Sequence, residues 1–210
     1  SSERNPTVGQ WGGIKIDGDN NVANASFQHA TIEYSGYGIY GYFTSSESLI
    51  IANSTVRNNG QGIANSGHDY SGTVSITNSL IVDNNGSGIS GEYDYDHWTI
   101  TGNTITGNGS YGIYLPGYRS SATVSDNVIS DNGGGVLIET VRDDFVFSGN
   151  TVSDNAGYGL HYYNHHSGGG NWETDSITVT NNTIIGNSSN GIYIEDQGDA
   201  NAVITGNTIT

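Results

Sequence analysis

Apolar residues recur along the chain in columns that repeat about every 24 residues. The clearest column places an Ile or Val in each repeat, at successive steps of 24, 25, 24, 24, 23, 32 and 25 residues. Its members are Ile32, Val56, Ile81, Ile105, Ile129, Val152, Ile184 and Ile209. A constant period of this size is typical of solenoids, in which each repeat is too small to bury its own apolar side and stacks on its neighbours. We therefore predict one continuous stacked column.

The residues around each column member predict three short strands per repeat. Five and seven residues before it stand two apolar side chains, as Ile100 and Trp98 stand before Ile105. This period of two is that of a strand with one buried face. Seven or eight residues after it, a Gly precedes another apolar residue, as in Gly112-Ile113, which starts a further strand. The chain lacks the long 3.6-residue periodicity of helical repeats.

Asn residues occupy two fixed positions between these strands. Asn tolerates left-handed backbone, and its amide can bond both its own turn and an Asn stacked one coil away. We therefore expect two internal Asn ladders at the corners of the coils. One ladder comprises Asn103, Asn127, Asn150, Asn182 and Asn207, and the other comprises Asn59, Asn84, Asn108, Asn132, Asn155 and Asn187.

The combined pattern N-x-I-x-x-N-x-x-x-G-I, carried by Asn103 to Ile113, resembles the right-handed parallel β-helix repeat family. That family includes pectate-lyase-like enzymes and the carbohydrate-binding and sugar hydrolase repeat domains of surface proteins. The resemblance extends from about Trp11 to Thr210 and implies an all-β, single-stranded right-handed parallel β-helix of about eight coils with Asn ladders. Residues 1–9 are predicted to be a lead-in segment and residues 10–210 the β-helix domain, as a fragment of a longer protein. The repeat is specific for fold, while one fold hosts many activities.

Composition narrows the classes of partner. A net charge of −16, from 5 basic and 21 acidic residues, opposes nucleic-acid binding, because phosphates need Lys and Arg to neutralise them. The chain contains no Cys, which excludes disulfide and thiol chemistry. It has no run near the ~20 apolar residues of a membrane span. The acidic, Asn-, Ser- and Gly-rich composition favours a secreted or cell-surface protein.

The segment after each Gly-Ile pair varies most between repeats, and such variation on one side of a solenoid often marks its binding face. Strict alternation along this strand places outward Lys15, Tyr40, Ala64, Ser90, Tyr114, Leu137, His161 and Tyr193. Aromatic rings stack on sugar faces, while acids, Arg and His bond hydroxyls. We predict a rigid spacer with a carbohydrate-contacting surface formed by Tyr114, Tyr118, Arg119, Glu139, His161, Tyr163, Trp172, Glu173 and Tyr193. The alternative is that these tyrosines merely suit an exposed strand.

Catalysis on the same face is a second hypothesis. A polysaccharide lyase or epimerase needs a base, a cation and an acid, for which Arg142, Asp143, His161 and His165 are candidates. A glycoside hydrolase needs two carboxylates at a defined separation, for which Asp143, Asp144, Glu139 and Glu195 are candidates. None of these groups matches a family motif, and the Gly-His-Gly and Arg-x-Lys signatures of polygalacturonases are missing. The sequence therefore favours a non-enzymatic role.

Three further hypotheses concern other parts of the chain. Asp17, Asp19 and Asn21 have the D-x-D-x-N spacing with which a turn can bind calcium, although the distal Glu of a full calcium loop is missing and a plain acidic turn explains them as well. The coils could also stack end to end between copies into a fibre. A partial Thr array beside the Ile/Val column is similar to that of ice-binding solenoids, but Glu33, Arg57 and Leu80 interrupt it.

Overall fold

The computed structural model describes residues 6–18, 24–43, 47–67, 72–92, 96–116, 121–139, 144–164, 176–196 and 201–210, which form 24 strands. The first twelve are β1 (Trp11–Asp17), β2 (Ala25–Gln28), β3 (Thr31–Glu33), β4 (Ser35–Phe43), β5 (Ser48–Ala52), β6 (Thr55–Arg57), β7 (Gln61–Gly67), β8 (Thr73–Thr77), β9 (Leu80–Val82), β10 (Ile89–Glu92), β11 (His97–Thr101) and β12 (Thr104–Thr106). The others are β13 (Tyr111–Pro116), β14 (Ser121–Ser125), β15 (Val128–Ser130), β16 (Gly134–Glu139), β17 (Phe145–Ser148), β18 (Thr151–Ser153), β19 (Leu160–Asn164), β20 (Ser176–Thr180), β21 (Thr183–Ile185), β22 (Ile192–Asp196), β23 (Asn201–Thr205) and β24 (Thr208–Ile209).

Every third strand joins the same sheet. The first sheet runs from β1 through β4 to β22, the second from β2 to β23 and the third from β3 to β24, with eight strands in each. All pairings are parallel and join equivalent positions of successive repeats, so that Ile105 lies between Ile81 and Ile129. The chain is a right-handed parallel β-solenoid of about seven turns, which confirms the predicted fold class.

The predicted apolar columns form the interior. Ile100, Ile105 and Ile113 have no exposed surface in the structure. Large and small side chains alternate where one column would otherwise be overfilled: Ala122 lies in register between Trp98 and Phe145. Since interiors are close-packed, the small Ala122 leaves room for the two aromatic rings beside it.

Both Asn ladders are present. The side-chain amide of Asn108 donates to Oδ1 of Asn132 at 2.9 Å and to the carbonyl of Ile81 at 3.2 Å. The backbone N–H of Asn108 donates to the same Oδ1 at 3.0 Å, so each Asn satisfies groups on two other coils. Both ladders begin with serines that sequence reasoning missed. In one ladder the backbone N–H of Ser79 donates to Asn103 and that of Ser54 donates to Ser79. In the other, the backbone N–H of Ser35 donates to Oδ1 of Asn59.

The left-handed backbone lies one residue before each ladder Asn rather than at the Asn itself. Gly102 and Gly107, which precede Asn103 and Asn108, have φ of 69° and 67°. The general preference of Asn for this conformation therefore misassigned the turn residue, although it located the corner correctly. In the first coil, the residues with left-handed backbone at these two corners are His29 (φ 54°) and Tyr34 (φ 60°). In the later coils, the residues with positive φ at the same corners also include Asn53, Asn58, Asn78, Asp83, Asp126, Asp131, Gly149, Asp154, Asn181, Gly186 and Gly206.

Candidate functional site

The outer side of the first sheet does not follow strict alternation. Gly112 and Ile113 both face the interior, because a Cβ at Gly112 would lie only 2.7 Å from Cγ2 of Ile129. Tyr111 and Tyr114, on either side of this pair, are therefore both on the outer side, with ring centroids 5.8 Å apart and planes at 28°. Each repeat can thus place two residues on the outer side of the first sheet, one directly before the Gly-Ile pair and one directly after it.

The same arrangement gathers three rings at the C-terminal part of the sheet. His161 lies in register with Tyr193 of the next coil, and their ring centroids are 4.8 Å apart. Tyr158 lies 4.7 Å from His161 and 5.6 Å from Tyr193, with its plane at 16° to the latter. Each of the three rings contacts the other two, so they form one half-buried aromatic platform.

Carboxylates border this platform on the side where the strands end. Glu139, Tyr163 and Glu195 are in register on three successive strands. The hydroxyl of Tyr114 donates to Oε2 of Glu139 at 3.1 Å, and that of Tyr193 donates to Oε2 of Glu195 at 3.1 Å. We refer to this set as the aromatic face: Tyr111, Tyr114, Glu139, Tyr158, His161, Tyr163, Tyr193 and Glu195.

Three rings of the aromatic face, those of His161, Tyr193 and Tyr111, have pKa values shifted toward the neutral form. Burial lowers the pKa of His161, against the opposing effect of Glu195 and Glu139, so its imidazole is uncharged at neutral pH. Its Nε2 is buried and has no hydrogen-bond partner within the described ranges. The hydrogen bond to Glu195 raises the pKa of Tyr193, and burial raises that of Tyr111. The arrangement offers flat neutral rings with hydrogen-bond acceptors at their edge.

The structure brings together five of the residues predicted for carbohydrate contact: Tyr114, Glu139, His161, Tyr163 and Tyr193. The other predicted contact residues, Tyr118, Arg119, Trp172 and Glu173, and the catalytic candidates Arg142, Asp143 and His165 lie outside the described residues and stay predictions.

Strict alternation erred in two ways. It predicted an exposed strip that includes Ala64, Ser90 and Leu137, but these are only 1%, 4% and 7% exposed. It also missed Tyr111 and Tyr158, because it assigned the Gly of each Gly-Ile pair to the outer side. A signal was present in the sequence, since a Tyr stands directly before that Gly in both repeats.

The calcium hypothesis rests on three residues, of which the structure describes one. Asp17 forms an ion pair with Lys15, whose Nζ lies 2.8 Å from its Oδ2. Asp19 and Asn21 lie outside the described residues, so calcium binding there stays a prediction. Within the described ranges, no group of three or more His, Cys, Asp or Glu residues is placed to hold a metal ion.

Comparison with known proteins gives one match. A family model described as "right handed beta helix region" matches residues 12–171, which is more than half of the chain. No curated protein and no solved structure matches the chain. None of the described segments forms a helix that is long and apolar enough to cross a membrane.

Proposed function

Because this chain belongs to the right-handed β-helix family, whose fold leaves the activity open, we propose its function from the aromatic face. The protein is a rigid module of a secreted or cell-surface protein, and it contacts neutral polysaccharide through this face. The observation that carries the proposal is the platform of Tyr158, His161 and Tyr193, in which each ring packs on the other two at 4.7 to 5.6 Å.

The chemistry of the face suits sugars. One side of a pyranose ring carries C–H groups that stack on aromatic rings, while its edge carries hydroxyls that donate to carboxylates. The aromatic face pairs these features in space, since Glu139 and Glu195 are in register on either side of Tyr163, beside the platform. Strands repeat every ~4.8 Å along the solenoid axis, so an extended glycan chain can meet successive coils as it runs along the sheet.

The charges favour a neutral polymer over an acidic one. The protein carries a net charge of −16, and the aromatic face contributes two carboxylates and no cation. Within the described ranges the basic side chains are Lys15 and Arg57, which pair with Asp17 and Glu33. Uronate carboxylates would be repelled by Glu139 and Glu195, and neither basic side chain of the described ranges lies on the aromatic face to offset them.

A polysaccharide lyase or epimerase on the same face is the second candidate. It is favoured by the neutral imidazole of His161 on this face, because such a group can accept a proton from a sugar carbon. This function requires a uronate substrate, and it therefore makes the opposite prediction about the charge of the polymer. Incubation with polygalacturonate and alginate distinguishes the two candidates, through the absorbance of unsaturated uronates for a lyase and proton exchange at C5 for an epimerase.

The binding proposal is tested by calorimetry with neutral polymers (β-glucan, xylan and galactomannan) and with polygalacturonate. We expect at least one neutral polymer to bind and polygalacturonate to bind more weakly. Tyr193→Ala should weaken binding about tenfold, or about 1.4 kcal/mol. The matched control is Leu80→Ala, which removes a side chain that is 38% exposed on the third sheet. The proposal fails if no neutral polymer binds, or if Tyr193→Ala binds as tightly as the control.

A further inference from the structure

A cavity of about 460 Å³ lies at the N-terminal end of the first sheet, apart from the aromatic face. It is lined by Gly12, Gly13, Ile14, Lys15, Tyr37 and Tyr40. Its volume is within the ~300–1,000 Å³ typical of small-molecule sites.

The backbone of β1 shapes this cavity. The register with β4 shifts between Gly13 and Ile14, which marks a β-bulge. Gly13 has φ of 104°, and a Cβ there would lie 1.5 Å from the carbonyl oxygen of Tyr37, so only glycine fits. A Cβ at Gly12 would instead meet no atom within 4 Å. The Gly-Gly pair thus leaves open space beside the two tyrosines.

The walls combine two aromatic rings with the side chain of Lys15, which pairs with Asp17. The rings of Tyr37 and Tyr40 have centroids 5.5 Å apart and planes at 62°, so they form a corner. Tyr37 is 46% exposed, which leaves much of its ring accessible. Lys15 lies in register beside Tyr40, and its ion pair with Asp17 supplies both a donor and an acceptor without net charge. The accessible ring of Tyr37 can stack on the face of a single sugar ring, for which the Gly12-Gly13 backbone leaves space. The Lys15–Asp17 pair can form hydrogen bonds with its hydroxyls.

We propose that this cavity is a second sugar-binding subsite, which takes one pyranose ring of the same neutral polysaccharide. The inference rests on the proposed function and extends it to a separate site. From Tyr40, the outward row passes Ala64 and Ser90 before it reaches Tyr114. These three steps span ~14 Å at the strand spacing. Ala64 and Ser90 are only 1% and 4% exposed, and the amide of Gln61 donates to Oγ of Ser90 at 3.4 Å, so side chains of neighbouring positions cover this part of the row.

One extended glycan chain can reach both sites, because Tyr40 and Tyr114 lie on the same sheet only three strand steps apart. Once a chain is held at the aromatic face, binding in the cavity becomes intramolecular, and its effective concentration raises the overall affinity. Long chains should bind more tightly than short ones for this reason, and blocking the cavity should remove much of the difference.

The test compares disaccharides and octasaccharides of the cello-, xylo- and manno-series by calorimetry. Gly12→Leu fills the cavity from a position with open space, and Tyr37→Ala removes its most exposed ring. We expect either variant to weaken octasaccharide binding five- to tenfold and to leave disaccharide binding at the aromatic face unchanged. Leu80→Ala is again the control, and thermal unfolding shows whether each variant is folded.

The possible failures are distinguishable. If Tyr193→Ala weakens octasaccharide binding while folded Gly12→Leu and Tyr37→Ala bind like the wild type, the cavity is not a subsite and the proposed function stands. If the wild-type protein binds none of the three series, both proposals are wrong. If Gly12→Leu weakens octasaccharide binding and Tyr37→Ala does not, the result contradicts stacking of a sugar on the ring of Tyr37.

Discussion

His161 and Tyr193 occupy equivalent positions of successive coils, and their ring centroids are 4.8 Å apart. That distance is close to the strand spacing of ~4.8 Å, so the ladder of parallel hydrogen bonds sets the separation of the rings. A platform built on a sheet is more rigid than one built on loops and loses less conformational entropy on binding. The aromatic face is therefore preorganised by the same register that holds the fold together.

Tyr158 tests whether the platform binds through its rings. Tyr158→Ala should reduce affinity for the neutral polymer about five- to tenfold, in line with the ~0.5–1.5 kcal/mol of aromatic contacts. Tyr158→Phe should bind like the wild type, because the ring remains. If the Phe variant lost as much affinity as the Ala variant, the hydroxyl rather than the ring would carry the contact.

The lowered pKa of His161 predicts a pH-dependent stability. Since the folded state holds the pKa below the ordinary 6.5, the unfolded chain binds more protons between the two values, and stability falls as the pH drops below about 6.5. His161→Gln should remove this contribution. Thermal unfolding of both proteins across the range from acidic to neutral pH measures it as a difference, which cancels the titration of distant carboxylates. A difference that stays constant with pH would contradict the prediction.

An interior ladder position should be far more sensitive than an exposed Asn. Asn108→Ala removes the acceptor for the amide and backbone N–H of Asn84 and the side-chain donor to Asn132. Unsatisfied buried polar groups cost ~1–3 kcal/mol each, so we expect a loss of about 2–5 kcal/mol. The exposed Asn85 is the matched control, and Asn85→Ala should change stability by less than about 0.5 kcal/mol. Chemical denaturation of the two variants gives the comparison, and equal losses would contradict the ladder's role.

The backbone of the first coil is strained at His29, and a substitution can relieve this strain. His29 is exposed and has φ of 54°, at the corner where Asn53 and Asn78 stand in the next two coils. Left-handed backbone costs most L-residues ~1–2 kcal/mol, and Asn tolerates it better. His29→Asn should therefore stabilise the protein by about 0.5–1 kcal/mol. Gln28→Asn, on the adjoining exposed strand position, is expected to give no gain, and a gain of the same size there would contradict the backbone explanation.

The sequence predicted the features that repetition determines. The apolar columns and the Asn ladders recur at fixed positions, so each repeat supports the assignment made from the others. The aromatic face was only partly predictable, because the local inward turn of both Gly112 and Ile113 depends on close approach to the side chain of Ile129. The cavity beside Gly12 was not predictable, since it arises from a shift of register between two strands that no single repeat encodes.

The most direct measurement of sugar contact at the aromatic face is a titration followed through the imidazole signals of the protein by nuclear magnetic resonance. His161 is part of the platform, whereas His97 lies on the second sheet, where its Nδ1 is 2.6 Å from Oγ of Ser121. Addition of the neutral oligosaccharide should shift the signal of His161 in a saturable manner and leave that of His97 unchanged. Saturable binding that leaves His161 unmoved, or that shifts His97 equally, would contradict the assignment of the site.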